Sequence, residues 1–137
     1  MSTNKIRWGR ILLAAFFAEL GIFALFIPVL VKYGEVPAQY IVPPLALLMT
    51  FLFSWWAGRR IESRFVLHGI LIGIAATLMY VALTMAHPEP FIYYVAHALK
   101  IVGGAAGTRV AQKRQLQRRS AVGQTDAEEV GPFIHRK

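Results

Sequence analysis

Four apolar stretches of membrane-spanning length, at 11–31, 40–57, 65–86 and 91–108, fill most of this 137-residue chain. A helix needs about 20 such residues to cross the hydrocarbon core. Hydrocarbon offers no partners to an open backbone, and the stretches show no period-2 alternation, so each is expected to be a helix rather than a barrel strand. The connections are short, which predicts that successive helices are antiparallel neighbours. The expected fold is an all-α integral membrane protein, a four-helix transmembrane bundle with short loops. It divides into a cytoplasmic segment at 1–10, the transmembrane domain at 11–108 and a basic, flexible cytoplasmic tail at 109–137.

Composition agrees with this class. Hydrophobic residues make up 56% of the chain and charged residues 16%, where soluble domains carry about a quarter charged. The absence of cysteine excludes disulfides, thiolate metal sites and cysteine nucleophiles. Lys5, Arg7 and Arg10 precede the first stretch as they would in a cleaved signal peptide. That stretch exceeds the roughly 7–15 residues of such a segment and contains no A-x-A site before Lys32, so it is expected to be retained.

Basic residues set the expected orientation. Lys5, Arg7 and Arg10 precede the first span; Arg59, Arg60 and Arg64 lie between the second and third; Arg109, Lys113, Arg114, Arg118, Arg119, Arg136 and Lys137 follow the fourth. Only Lys32 falls on the other side. An even number of spans puts the three groups on one face, which the positive-inside rule makes cytoplasmic, with both termini inside. This places the chain in a plasma membrane or bacterial inner membrane. Trp8, Trp55 and Trp56 fall at the cytoplasmic ends and Tyr33, Tyr40, Tyr93 and Tyr94 at the outer ends, as two aromatic belts. Topology thus accounts for most of the net charge of +8 and the pI near 10.3.

The outer rim carries the backbone breakers. Pro28 is expected to kink the first helix, while Pro43 and Pro44 are expected in the first turn of the second, where missing donors are tolerated. The outer loops, 32–39 and 87–90, are too small for a receptor domain. Pro88 and Pro90 make the second of them a tight turn.

Within the spans, small and polar residues recur at helical spacing. Gly69, Gly73, Thr77, Tyr80 and Thr84 do so on the third helix, and His97, Lys100, Gly104 and Gly107 on the fourth, beside Gly103. Such faces let backbones approach closely, and packing within the bundle is the expected use of the G-x-x-x-G at Gly103 and Gly107. The second helix offers only Thr50 and Ser54 and is expected to face lipid.

Glu19 in the first span and Lys100 in the fourth are the buried charges. Glu19 lies eight residues past Ile11, about 12 Å above the cytoplasmic edge, and Lys100 nine before Arg109, about 14 Å above it. An unpaired charge at that depth costs several kcal/mol, so the two are expected to meet. His97, one turn farther out, would extend a polar path toward the outer loop. His68 and His87 are too far from it in depth to share a metal, so no metal site or cofactor is expected. No H-E-x-x-H, G-x-S-x-G, phosphate loop or glycine fingerprint occurs, and no enzyme is expected.

After the fourth span, Lys113, Arg114, Arg118 and Arg119 precede acidic residues at Asp126, Glu128 and Glu129. A juxtamembrane cluster of this kind attracts anionic lipid headgroups at about 1 kcal/mol per cation. It lacks interleaved aromatics, so nucleic acid is not the expected partner.

The segment from Ala14 to Gly21 (Ala-Ala-Phe-Phe-Ala-Glu-Leu-Gly) resembles the first helix of small multidrug resistance transporters, short four-helix proteins with an essential glutamate among small residues. The resemblance implies that Glu19 is the shared proton and substrate site of an antiparallel dimer. The rest of the chain departs from that family. Its third helix has no tryptophan, Lys100 brings a cation near the glutamate, and the charge bias opposes dual orientation. Membership is not assigned. The expected role is that of a small multi-pass protein of uncharacterised activity, structural or binding partners, whether a homo-oligomer or another membrane protein. The alternative is a small oligomeric proton-coupled transporter using Glu19.

Overall fold

The computed structural model describes residues 6–61, 63–85 and 89–130. It is all-helical, with α1 at Trp8–Tyr33, α2 at Glu35–Gly58, α3 at Phe65–Leu83 and α4 at Phe91–Val130. The first three are long and apolar enough to cross a membrane. The apolar part of α4 is diluted by Tyr93, Tyr94, His97, Lys100 and its glycines.

Neighbours in the bundle do not follow chain order. α2 packs most extensively on α4, and α3 packs on α4, α1 on α2 and α1 on α3; α2 and α3 touch least, and α1 and α4 have no backbone contact among the described residues. The circuit is therefore α1, α2, α4, α3, with two diagonals. The expectation that all successive helices are neighbours fails at α2 and α3. The glycine face of α4 admits α2 so closely that this parallel pair outweighs the α2–α3 contact. Gly103 backs onto the Leu47 carbonyl, Gly107 onto that of Phe51, and Gly58 onto Thr108 and Ala111.

The same packing shows that α2 is not the lipid-facing helix its composition suggested. Ala46, Thr50, Ser54, Ala57 and Gly58 form a buried stripe along it. Short side chains at this spacing do for α2 what the glycines do for α4, and Thr50 satisfies its hydroxyl on the Ala46 carbonyl at 2.6 Å.

The outer connection between α1 and α2 is a single residue, not the loop expected at 32–39. Gly34 has φ +85° and ψ −178°, a region essentially restricted to glycine. Its N–H closes α1 on the Leu30 carbonyl at 3.0 Å, and α2 begins at the next residue. Pro43 and Pro44 consequently lie inside α2, well past the first turn, and the outer end of that helix is not unwound. Gly34→Ala should lower stability by about 1–3 kcal/mol, read as a lower midpoint of thermal unfolding in detergent. An unchanged midpoint would show that the joint relaxes freely.

Past 108 the chain stays helical. The expected boundary between span and tail is not a break in secondary structure, since α4 continues to Val130. Residues 109–121 are rich in Ala, Gln, Lys, Arg and Leu, all strong helix formers, and lack Gly and Pro. Ala111 is buried, and Gln115 Nε2 donates to the carbonyls of Gly58 at 3.0 Å and Arg59 at 2.8 Å. The Gly58 carbonyl also accepts from the Ile61 N–H at 3.2 Å; with the Arg59 carbonyl it lies at the end of α2, where carbonyls lack partners within the helix, so the extension of α4 helps cap its neighbour. Lys5, Arg136, Lys137 and, in the expected outer turn, His87 and Pro88 lie outside the described residues, as do the side chains of Asp126, Glu128 and Glu129.

Two apolar clusters fill the bundle. One unites Ile11, Ala14 and Ala15 with Ala57, Ile72 and Ala76, the other Ile22 with Val42, Leu45, Ala46 and Ala96. The outer surface is also apolar, with Leu12, Phe16, Leu20, Leu48, Leu78 and Val102 among the large exposed side chains. Polar groups are instead enclosed: Glu19, Thr50, Ser54, His68, Lys100 and Thr108 are all buried.

Candidate functional site

Between the two apolar clusters of α1, after Ala15 and before Ile22, Glu19 turns inward and meets Lys100 of α4. Lys100 Nζ stands 2.5 Å from Glu19 Oε1, and the two residues retain 2% and 3% of their exposure. Because α1 and α4 lie on a diagonal without backbone contact, the two long side chains reach across the centre of the bundle. Gly73 of α3 makes room for this, since a Cβ there would sit 2.7 Å from the Lys100 carbonyl and 2.6 Å from the Ile101 Cα. Glu19 Oε2 is buried with no hydrogen-bond partner among the described residues.

The ion pair is the inner end of a file of polar groups. Lys100 Nζ also lies 4.8 Å from the centre of the Tyr80 ring, within cation–π reach. Tyr80 is stacked between Phe23 and Tyr93, with centroids at 6.1 and 6.3 Å; its ring also lies 5.1 Å from that of His97, and its hydroxyl is hydrogen-bonded to Glu89. His97 Nε2 is 3.6 Å from Glu89 Oε2, in the outer turn just before α4. The sequence reading brought Glu19, Lys100 and His97 to this region. It placed Tyr80 only on a packing stripe of the third helix and missed Glu89 altogether. The signal for Glu89 was an acidic residue held between Pro88 and Pro90, directly above His97 in the next helix.

The packing residues divide between two interfaces. Gly103 and Gly107 face α2, while Gly104 meets Gly69 of α3 backbone to backbone and Gly73 meets Lys100 and Ile101. Thr77 bonds the Gly73 carbonyl within its own helix at 3.0 Å. Tyr93 and Trp55 turn inward from the aromatic belts, whereas Trp8, Tyr33, Tyr40, Trp56 and Tyr94 are exposed.

At the opposite end from Gly34 the cations gather. The Arg10 guanidinium donates to the Arg60 carbonyl, the Arg7 N–H donates to His68 Nε2 at 3.4 Å, and His68 Nδ1 lies 3.0 Å from the Arg64 carbonyl. Through these contacts His68 acts as a clasp between the starts of α1 and α3. Of the four cations expected to contact lipid, Lys113 lines a groove against Val66 and Ile70 of α3. Arg114, over the Trp55 ring at 5.1 Å, shares a hollow with Arg118, and Arg118 and Arg119 lie beside Arg59 and Arg60.

Compared with protein-family models, curated proteins and solved structures, the chain matches none.

Proposed function

We propose that the chain is a four-span membrane protein with both termini cytoplasmic, in a plasma or bacterial inner membrane, and that its role is structural or partner-binding rather than catalytic. The membrane reading is supported by the inversion of the bundle, apolar outside and polar within, which water would penalise and lipid favours. Gathering Arg7, Arg10, Arg59, Arg60, Arg64 and the α4 arginines at one end, with Lys32 alone at the other, supports the orientation. The fourth crossing is the apolar part of α4, whose charge is covered by Glu19.

The structural role rests on one observation: Glu19 is closed off from solvent and held by Lys100 at 2.5 Å. A carboxylate that shuttles protons or cargo needs an alternating opening to water. This one is a latch across a diagonal where the described residues make no backbone contact. A second reading, a small oligomeric proton-coupled transporter, is favoured by the file of Lys100, Tyr80, His97 and Glu89 leading to the outer end.

Proteoliposomes with an imposed pH gradient separate the two. The structural reading expects proton flux no greater than in protein-free vesicles, and loss of assembly with Glu19→Gln. Flux that Glu19→Gln abolishes while the protein stays folded would overturn it in favour of transport. Reporter fusions at both termini should place them on the cytoplasmic side; termini on opposite faces would remove the four-span topology.

A further inference from the structure

Where α2 ends, five arginines from two distant parts of the chain meet. Arg59, Arg60, Arg118 and Arg119 line, with Ile61 and Gln115, a cleft of about 330 Å³, within the roughly 300–1,000 Å³ common for small-ligand sites. A hollow of about 120 Å³ adjoins it, bounded by Trp55, Arg114 and Arg118. Three side chains hold the walls together. Gln115 bonds the Gly58 and Arg59 carbonyls, Arg10 bonds the Arg60 carbonyl from the far side, and Trp55 carries Arg59 at 4.0 Å and Arg114 at 5.1 Å on its ring. The backbone that carries Arg59 and Arg60 is thus held against α1 and α4, and the Arg59 side chain is held on Trp55.

Cations brought together this way repel one another, and none of the described residues lining the cleft is a carboxylate. Topology requires positive charge on this face but does not require it to converge on one hollow. Guanidinium groups approaching from two sides suit an anion with several oxygens at wide angles, because each fork engages two of them. A lone carboxylate fills one fork; a terminal phosphate fills two.

We propose that this cleft binds a phosphate group, carried by a phospholipid headgroup or free in solution. A phosphomonoester, with three terminal oxygens, is the preferred form over a diester. This differs from general attraction of a basic face to an anionic membrane, which counts charges and is indifferent to their geometry.

Substituting lysine for arginine separates the two, since charge is kept and the fork is lost. The full-length protein is placed in phosphatidylcholine nanodiscs, with inorganic phosphate titrated by calorimetry, and in nanodiscs containing phosphatidic acid or phosphatidylglycerol, with thermal unfolding followed. The wild type should bind phosphate saturably or be stabilised by phosphatidic acid more than by phosphatidylglycerol. Arg59→Lys with Arg118→Lys should weaken that response about tenfold or more, whereas Lys113→Gln, which removes a charge on the α3 side, should leave it unchanged. Phosphate binding in phosphatidylcholine discs identifies a soluble ligand, and a response confined to phosphatidic acid identifies a headgroup.

A lysine double variant that responds as the wild type does, or a Lys113→Gln loss of the same size, would overturn the proposal in favour of diffuse charge. So would the absence of a saturable response to either probe. Should the arginine variants fail to fold, modification of the wild type by phenylglyoxal decides the question. Phosphate or phosphatidic acid should protect Arg59, Arg60, Arg118 and Arg119 but not Arg109; equal protection of all five would count against the cleft.

Discussion

Replacing Lys100 with methionine while Glu19 stays in place is expected to destabilise the bundle by about 3–5 kcal/mol, the usual consequence of stranding one partner of a buried ion pair. The pair is enclosed on all sides, and Glu19 Oε2 already lacks a hydrogen-bond partner among the described residues. Removing the ammonium leaves the carboxylate with nothing to offset its desolvation. The double variant Glu19→Gln with Lys100→Met should recover most of the loss, because it removes the buried charge along with its partner. Unfolding in mild detergent, followed by helicity and by retention of the monodisperse state, gives the four corners of the cycle. A coupling below about 0.5 kcal/mol, the limit expected of independent sites, would mean that the pair does not latch α1 to α4.

The second large effect is steric. Gly104 and Gly69 meet backbone to backbone where α3 crosses α4, and a Cβ on either residue would strike the other's carbonyl oxygen. No flexible side chain is available to give way. Gly104→Val should therefore force the helices apart at a cost of about 3 kcal/mol, the upper end for overpacked cores, and should perturb Lys100 one turn away. Gly9→Ala is the matched control, since a Cβ there meets nothing within 4 Å. Thermal unfolding of the two variants in the same detergent checks the contrast. Equal midpoints would show that the α3–α4 approach tolerates a Cβ at Gly104.

The two predictions depend on different physics and fail separately. The methionine variant tests electrostatics across a diagonal, and the valine variant tests contact between neighbours. Loss in the second without loss in the first would leave the bundle intact and remove Glu19 as its latch.

Much of the architecture is legible in the letters because hydrocarbon leaves few options. Long runs without charge must be helices, and their ends follow from arginines and aromatics. Glu19 and Lys100 could be matched by depth, since rise per residue converts sequence distance into height. Height says nothing about azimuth. The small-residue stripes were readable as packing faces, but Gly103, Gly104 and Gly107 sit on two faces of α4, and only assembly assigns Gly103 and Gly107 to α2 and Gly104 to α3. The same limit hid the buried stripe of α2, whose alanines and hydroxyls look unremarkable until a glycine face is laid against them.

Length and hydropathy determined by themselves that this chain is helical and apolar outside, with one acid and one base inside, because those are consequences of solvation that act residue by residue. The circuit α1, α2, α4, α3, the single-residue joint at Gly34, the helical continuation that caps α2 through Gln115 and the convergence of Arg59 and Arg60 with Arg118 and Arg119 were decided only in three dimensions. Each depends on which backbones can approach most closely, and that is a property of pairs of surfaces that no single stretch of sequence carries.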